Sequence, residues 1–453
     1  MVYRYKMNGF NIILDVNSGG IHVVDDIVYD VLDFDINQRQ VIVDALEHKY
    51  KREYISEAID EIFELKKQEL LFTEDTYEEV LPQVDQRNPV VKALCLHIAH
   101  DCNLKCQYCF AEEGEYKGKR SLMSFEVGKA AIDFIIEKSA NRKNLEIDFF
   151  GGEPLMNLSV VKQIVTYASE KEKQHNKIFR FTLTTNGVLL NEETEAYINE
   201  HMHNVVLSLD GRKEVNDTMR MTVSGKGSYE IIVPKFQRLA ESRNQNNYYV
   251  RGTFTAENLD FSKDVLHMAD LGFQQVSIEP VVAADDAPYA IKTEHLERIF
   301  AEYEALAVQL LQRQKEGRPF QFFHFMIDLT GGPCVAKRLV GCGAGTEYLA
   351  VTPEGDLFPC HQFVGIEAFK MGDVYNGVSN LEKRKEFERC NVYAKEECRG
   401  CFAKFYCSGG CAANAYNANG DILKPYKIGC DMQRKRTECS IMMKVAENAC
   451  TYS

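Results

Sequence analysis

Three thiols fall within eight residues, Cys102-Asn-Leu-Lys-Cys106-Gln-Tyr-Cys109, spaced x3 and then x2. A loop of that size wraps one small object. Thiolates hold iron–sulfur cubes, normally four to a cube. Three local thiols with no fourth nearby leave one iron of a cube open, and an open iron is a reaction site. The competing uses are structural zinc, which asks for a fourth ligand close by, and buried free thiols.

A second set of cysteines follows late in the chain. Cys342 is followed by twelve residues, Gly355, four more residues and Cys360; then come Cys398-x2-Cys401-x5-Cys407-x3-Cys411 and, eighteen residues on, Cys430. Cys334 precedes this set and His361 adjoins Cys360. Gly341, Gly343, Gly345, Gly409 and Gly410 stand among these thiols, and glycine permits the backbone angles that bring amides round sulfide. Cys95, Cys390, Cys439 and Cys450 fit no pattern and read as spare or core thiols. Fifteen cysteines, none in the first 94 residues, read as metal binding in a reducing compartment rather than as a disulfide framework.

The bulk properties narrow the class. At 453 residues, 45% hydrophobic and 26% charged, the chain is expected to be a soluble globular protein of several domains. A net charge of −14 argues against nucleic acid as a partner, because phosphate binding needs a basic surface. No apolar run reaches membrane-spanning length and no charged-then-apolar signal opens the chain, so no membrane partner and a cytoplasmic location are expected.

The elements that must position these thiols are legible in the periodicity. Tyr3–Met7 and Asn11–Asp15 read as strands joined by a turn at Asn8-Gly9, with Ile21–Val24 as a third. Apolar spacings of three and four through Ile27, Val31 and Leu32, then Val41, Ala45 and Leu46, then Ile55, Ile59, Ile62 and Phe63 predict three helices. Residues 1–75 thus form a small unit, and polar residues 76–92, with Pro82 and Pro89, read as a linker. A short strand, Ala93–Ile98, runs into the cysteine loop. Further strands are expected near 145–149, 179–184, 204–209, 248–254 and 274–279, alternating with helices at 125–139, 158–173, 192–200, 228–243 and 260–271. Repeated strand–helix units give a parallel sheet; six of them make an incomplete barrel, with ligands at the carboxyl ends of the strands. A long helix over 294–316 reads as a bridge to the last domain.

The cysteine loop, with Tyr108 just before its third thiol, resembles that of radical S-adenosylmethionine (SAM) enzymes. The resemblance implies an α/β partial (β/α)6 barrel in which the open iron chelates SAM and an electron from the cluster cleaves it to methionine and a 5′-deoxyadenosyl radical. The strand ends carry suitable residues. Gly151-Gly152-Glu153-Pro154 matches the family's contact to the methionine amino group. Thr184, Thr185 and Asn186 suit ribose hydroxyls. Ser208 and Asp210 follow the next strand, Arg220 in Asp217-Thr-Met-Arg220 suits the SAM carboxylate, and Ile278, beside Glu279, suits adenine. By resemblance, Tyr108, Glu153, Asn186, Ser208, Arg220 and Ile278 are the cofactor-binding candidates.

The later cysteine order resembles the SPASM domain, which carries two auxiliary 4Fe–4S clusters, for three clusters in all. The resemblance implies that Cys398, Cys401, Cys407 and Cys430 hold the distal cluster and that Cys342, Cys360 and Cys411 hold the nearer one. That leaves one iron short: either Cys334 is its fourth ligand, or the iron stays open for a substrate thiolate. His361 stands where the related anaerobic sulfatase-maturing enzymes have an aspartate, which argues against sulfatase maturation. It is either a general base or a hydrogen-bonding neighbour of the cluster.

The full order resembles one maturase family: a winged-helix-like recognition element for a ribosomal precursor peptide (1–80), a radical SAM barrel (81–290), a bridging helix (291–330) and a SPASM domain (331–453). Leu14-Asp15-Val-Asn-Ser-Gly-Gly-Ile-His-Val-Val-Asp and Ala99-His100-Asp101-Cys102-Asn103-Leu104 look like the thioether-forming maturases of six-cysteine (SCIFF) peptides. What this implies is a leader bound at the N-terminal unit as an added strand, a thioether joining a cysteine sulfur to a threonine carbon, and a flavodoxin- or ferredoxin-type electron donor. Carbon–carbon crosslinking, epimerisation and formylglycine formation are the rival reactions; a nonenzymatic iron–sulfur regulator is the rival from outside enzymes.

Overall fold

The computed structural model describes residues 1–81, 90–284, 286–329 and 335–451. Cys334, Pro82 and Pro89 lie outside the described residues, as does the side chain of Cys450.

Strands β1 (Val2–Met7), β2 (Phe10–Asp15) and β3 (Ile21–Val24) form an antiparallel sheet in that order. Asn8 and Gly9 both take left-handed φ, +50° and +80°, the two-residue turn whose twist matches that of the strands it joins. Helices α1 (Asp26–Val31), α2 (Arg39–Leu46) and α3 (Arg52–Lys67) follow. Asp25 starts α1 by accepting from Val28 N at 2.9 Å. Side chains alternate across β2. Ile13 packs with Val31, Ile42, Ile55, Ile59 and Ile62 in a core private to this unit, whereas Ile12 and Leu14 join the core of the rest of the chain. Asp15 is fully buried and ties Ser18 and Thr73 to the end of β2 through its carboxylate. That accounts physically for the Leu14-Asp15 opening of the motif.

The main sheet is parallel at its centre. Strands β4 (Ala93–His100), β5 (Asn144–Gly151), β6 (Ile178–Thr185), β7 (Asn204–Ser208), β8 (Tyr248–Phe254) and β9 (Gln275–Pro280) neighbour one another in chain order, all parallel. Helices α4 (Phe125–Lys138), α5 (Leu158–His175), α6 (Glu192–His201), α7 (Tyr229–Ser242) and α8 (Phe261–Asp270) stand between them in sequence. Every residue of β4 is buried, as expected of a central strand covered on both faces. The expected alternation is borne out, and the mixed α/β fold with a parallel-rich sheet is the one the residues imply.

The sheet also continues past both ends of the barrel. On the far side of β9 it takes Gln321–Phe322, which follows helix α9 (Leu296–Lys315). On the far side of β4 it takes β10 (Tyr348–Val351) in parallel, Ala93 opposite Tyr348 and Leu96 opposite Val351. Strand β11 (Asp356–Phe358) then turns back antiparallel on β10. The cysteine-rich segment is therefore carried by the same sheet as the barrel. The last helix, α10 (Lys427–Thr451), holds the N-terminal sheet in place: Tyr5 Oη donates to the Glu438 carbonyl at 2.9 Å. Beside it, Tyr3 stacks on Phe402 with ring centroids 3.6 Å apart. Among the described residues, no helix is long and apolar enough to cross a membrane.

Candidate active site

The carboxyl ends of β5 to β9 open on a cavity of about 570 Å³. Cys102, Cys106 and Cys109 line it, as do Tyr108, Asn186, Ser208, Arg220 and His361. Residues far apart in sequence thus meet at one place, and that place is where a parallel α/β sheet binds its ligands.

The cysteine loop is held from three sides. Leu104–Cys106 pairs antiparallel with Arg220–Thr222, placing Arg220 opposite Cys106. Asn186 Nδ2 donates to Asn103 Oδ1 at 2.7 Å and reaches Cys102 Sγ at 3.6 Å, and the Leu104 amide reaches the same sulfur at 3.4 Å. Gly151 and Gly152 let the end of β5 press against the loop: a Cβ on Gly152 would lie 2.1 Å from the Asp101 carbonyl oxygen. Burial pushes the Cys102 thiol up to about 12 and the Cys106 thiol up to about 11, with Cys109 adding to both.

Arg220 is buried and linked to the strand end opposite. Its Nη1 donates to Tyr108 Oη at 2.9 Å, and Tyr108 donates in turn to Asp210 Oδ2 at 2.7 Å. The Thr253 amide fixes Asp210 Oδ1 at 3.0 Å. Burial raises the Asp210 carboxyl although Arg220 beside it opposes the shift. The Arg220 Nε is buried without a partner.

Two of the expected contacts point elsewhere. Glu153 is fully buried and its carboxylate accepts from Asn186 N at 2.7 Å, Thr185 Oγ1 at 2.8 Å and Leu155 N at 3.0 Å. It braces the ends of β5 and β6, and the cavity wall there is Gly151, Gly152 and Asn186. Burial lifts its carboxyl to about 7 against these three donors. Ile278 is fully buried in the main core; Glu279, Pro280 and Val281 form the wall beside it.

The C-terminal thiols gather in two groups. Cys398 is pushed up to about 12 by burial and then by Cys407, Cys430 and Cys401. Cys360 is raised by burial and then by Cys411 and Cys342. Cys407, Cys411 and Cys430 also line the cavity. Among the described residues, no three His, Cys, Asp or Glu side chains converge on a single metal-ion position; the thiols face shared space without meeting at a point. His361 sits against Phe150, with ring centroids 5.0 Å apart, and its Nδ1 is 3.4 Å from Tyr348 Oη. Burial, with Arg251 nearby, lowers its imidazolium to about 4. Arg251, His324 and Arg436 complete the wall. Sequence reading passed over these three: one alternates outward on a strand, one lies in a short turn and one is a single arginine within a mixed helix.

Comparison with known proteins points the same way. Residues 90–233 match the family described as a 4Fe-4S single cluster domain. The chain is 23% identical to the "Radical SAM cyclopropyl synthase TigE" of Paramaledivibacter caminithermalis over 94% of this chain and 91% of that one. It superposes on "Native anSMEcpe with bound AdoMet and Cp18Cys peptide" with a TM-score of 0.65 and 20% identity, covering 80% of this chain and 100% of that one. It also superposes on Streptococcus suis SuiB bound to the precursor peptide SuiA, with a TM-score of 0.53 and 14% identity over 92% of this chain and 96% of that one. The fold is that of these radical SAM enzyme structures.

These similarities imply a 4Fe–4S cluster and SAM, and the residues present fit both. Burial disfavours the thiolates of Cys102 and Cys106 unless a cation takes the place of their protons. Amide donors already point at Cys102 Sγ, as sulfur ligands of a cluster require. The unpartnered Arg220 Nε beside Cys106 is a ready donor for an amino-acid carboxylate.

Proposed function

We propose that this chain, folded as radical SAM enzymes are and related to radical SAM peptide-modifying enzymes, is a maturase that installs thioether crosslinks in a ribosomally made, cysteine-rich precursor peptide. The crosslink joins a cysteine sulfur to a carbon of an acceptor threonine. One observation carries the reading: a single cavity collects Cys102, Cys106 and Cys109 from the loop and Cys407, Cys411 and Cys430 from the C-terminal segment. The N-terminal sheet, whose edge strand β3 pairs only with β2 among the described residues, is docked on that same C-terminal segment. An edge strand is a template for an added peptide strand. In this reading residues 1–80 recognise the leader, 81–290 are the barrel, 291–330 the bridge and 331–453 the SPASM domain.

Cys102, Cys106 and Cys109 would hold the cluster that leaves one iron open, and Asn186, Ser208 and Arg220 would receive SAM. When bound, the pair supplies the means of removing a hydrogen atom from an unactivated carbon. Tyr108 and Asp210 fix the Arg220 fork in one orientation. Glu153 holds the Asn186 backbone at the strand end. Cys398, Cys401, Cys407 and Cys430 would hold one auxiliary cluster; Cys342, Cys360 and Cys411 would hold the other. Phe110, Tyr116 and Phe150 supply apolar wall that keeps water from the reacting carbon. His361, neutral at pH 7, would take the proton of the attacking cysteine at Nε2. The net change is loss of two hydrogens from the peptide, with a flavodoxin- or ferredoxin-type redox partner.

The test is mass spectrometry of a cysteine-rich precursor incubated anaerobically with reconstituted enzyme, SAM and reductant, followed by thiol alkylation. Each crosslink should remove two hydrogens and one alkylatable thiol. Loss of two hydrogens with every thiol still alkylated would replace the thioether by a carbon–carbon product, the reading that the similarity to TigE favours.

A further inference from the structure

The cavity wall formed by β8, β9 and the last helix carries charge that the proposed function does not use. Arg251 on β8, Glu279 on β9, His324 in the turn Phe323–Phe325 and Arg436 on α10 all line it. They form one connected set. Arg436 Nη1 donates to His324 Nδ1 at 2.9 Å, His324 Nε2 lies 3.1 Å from Glu279 Oε1, and Arg251 Nε lies 3.7 Å from the same oxygen. Ser277 Oγ donates to it at 3.0 Å. Among the described lining residues Glu279 is the one carboxylate, against Arg220, Arg251 and Arg436.

The balance is therefore incomplete. Arg220 is matched by Asp210 behind it. Arg251 pairs with Glu279, and Arg436 is linked to the same carboxylate through His324. Arg436 is 8% exposed and its Nε is buried without a hydrogen-bond partner among the described residues. A buried guanidinium with a donor left over is costly until an acceptor arrives. Its planar fork is matched best by a carboxylate.

We propose that Arg436 and Arg251, with His324, form a carboxylate subsite that takes an aspartate or glutamate side chain of the peptide being modified. This rests on the maturase reading and adds a sequence requirement to it: an acidic residue near the modified one. The methionine carboxylate of SAM is the other source of the same chemistry. It is placed at Arg220 instead, because that arginine adjoins Cys106 whereas Arg436 shares α10 with Cys430.

The experiment uses anaerobic cluster-loaded protein with SAM and no reductant, so that nothing turns over. The probes are fluorescein-labelled twelve-residue cysteine peptides in which one aspartate is walked through the positions flanking the cysteine, each paired with its asparagine twin. Binding is read by anisotropy. At one position at least, the aspartate peptide should bind wild type about tenfold tighter than its twin. That ratio should fall to about one in Arg436→Gln and recover in part in Arg436→Lys, while SAM affinity stays unchanged. Equal binding of both twins at every position in wild type overturns the subsite and leaves the maturase reading standing. No binding by any peptide overturns both. Loss of SAM affinity in Arg436→Gln, or a changed cluster spectrum with the aspartate preference intact, reassigns Arg436 and also overturns it.

Discussion

Arg220 stands directly opposite Cys106 in a two-stranded antiparallel ribbon, with Thr222 opposite Leu104. The pairing fixes a guanidinium beside the thiol loop through main-chain hydrogen bonds, so the spacing between them does not depend on a flexible loop.

Arg220→Lys should weaken SAM. Lysine keeps the charge and loses the fork that reaches both Tyr108 and a second acceptor. Loss of one charge-assisted hydrogen bond costs about 1.5–3 kcal/mol, or roughly 10- to 100-fold in affinity. Anaerobic equilibrium dialysis measures it, and iron content should stay at the wild-type level. Unchanged affinity would move the carboxylate contact elsewhere.

Gly152→Ala should empty the cysteine loop of iron. The added Cβ would lie 2.1 Å from the Asp101 carbonyl oxygen, and backbone cannot swing aside as a side-chain tip can. Cys102, the next residue, must move with it. Reconstituted protein should lose about four irons, one cube, and keep those of the C-terminal thiol groups. Iron assay with Mössbauer spectroscopy separates this from general loss.

Glu153 should make folding favour acid. Burial raises its folded pKa from 4.5 to about 7, so between those values the folded protein keeps a proton that the unfolded chain has released. Its contribution is fully present below about 4.5 and is lost as pH rises towards about 7. In Glu153→Gln that titration is gone. The stability of wild type relative to the variant should fall by roughly 3 kcal/mol across the window, read by urea unfolding of cluster-free protein. A difference that stays flat with pH would show that the three donors, rather than burial, set the carboxyl.

Asp75→Ala should loosen the N-terminal unit from the cysteine-rich segment. Lys404 Nζ donates to Asp75 Oδ2 at 2.5 Å and Tyr393 Oη to Oδ1 at 2.6 Å. Lys404 lies between Cys401 and Cys407 and its side chain is 2% exposed. Removing the carboxylate leaves the buried ammonium only the Arg399 carbonyl as an acceptor among the described residues, at 3.4 Å, at a cost of about 2–3 kcal/mol. Hydrogen exchange should quicken in Tyr77–Val80 and β1, while the private core of α1 to α3 stays protected. Unaltered exchange in Tyr77–Val80 would show that the contact at Tyr3 and Tyr5 suffices alone.

Much of the framework was open to reading because its signals are local. The Asn8-Gly9 turn, the burial of β4 and the helix spacings of α1 to α3 follow from backbone angles and apolar period alone. Clustering of thiols at 102–109 and 398–411 is likewise a property of short stretches. Glu153 shows where such reading stops: its place at a strand end suited an open contact, but three donors from β6 and its own loop turn it inward.

Sequence by itself determined the order of strands and helices, the thiol loop and the residues at successive strand ends, because each depends on neighbours within a few positions. Only the tertiary structure decided that β10 extends the barrel sheet, that Arg220 faces Cys106, and that Arg436 on the last helix enters the same cavity as the first thiols. Those are pairings between distant segments, selected by burial of whole faces and by main-chain hydrogen bonding, and no single stretch of the chain encodes them.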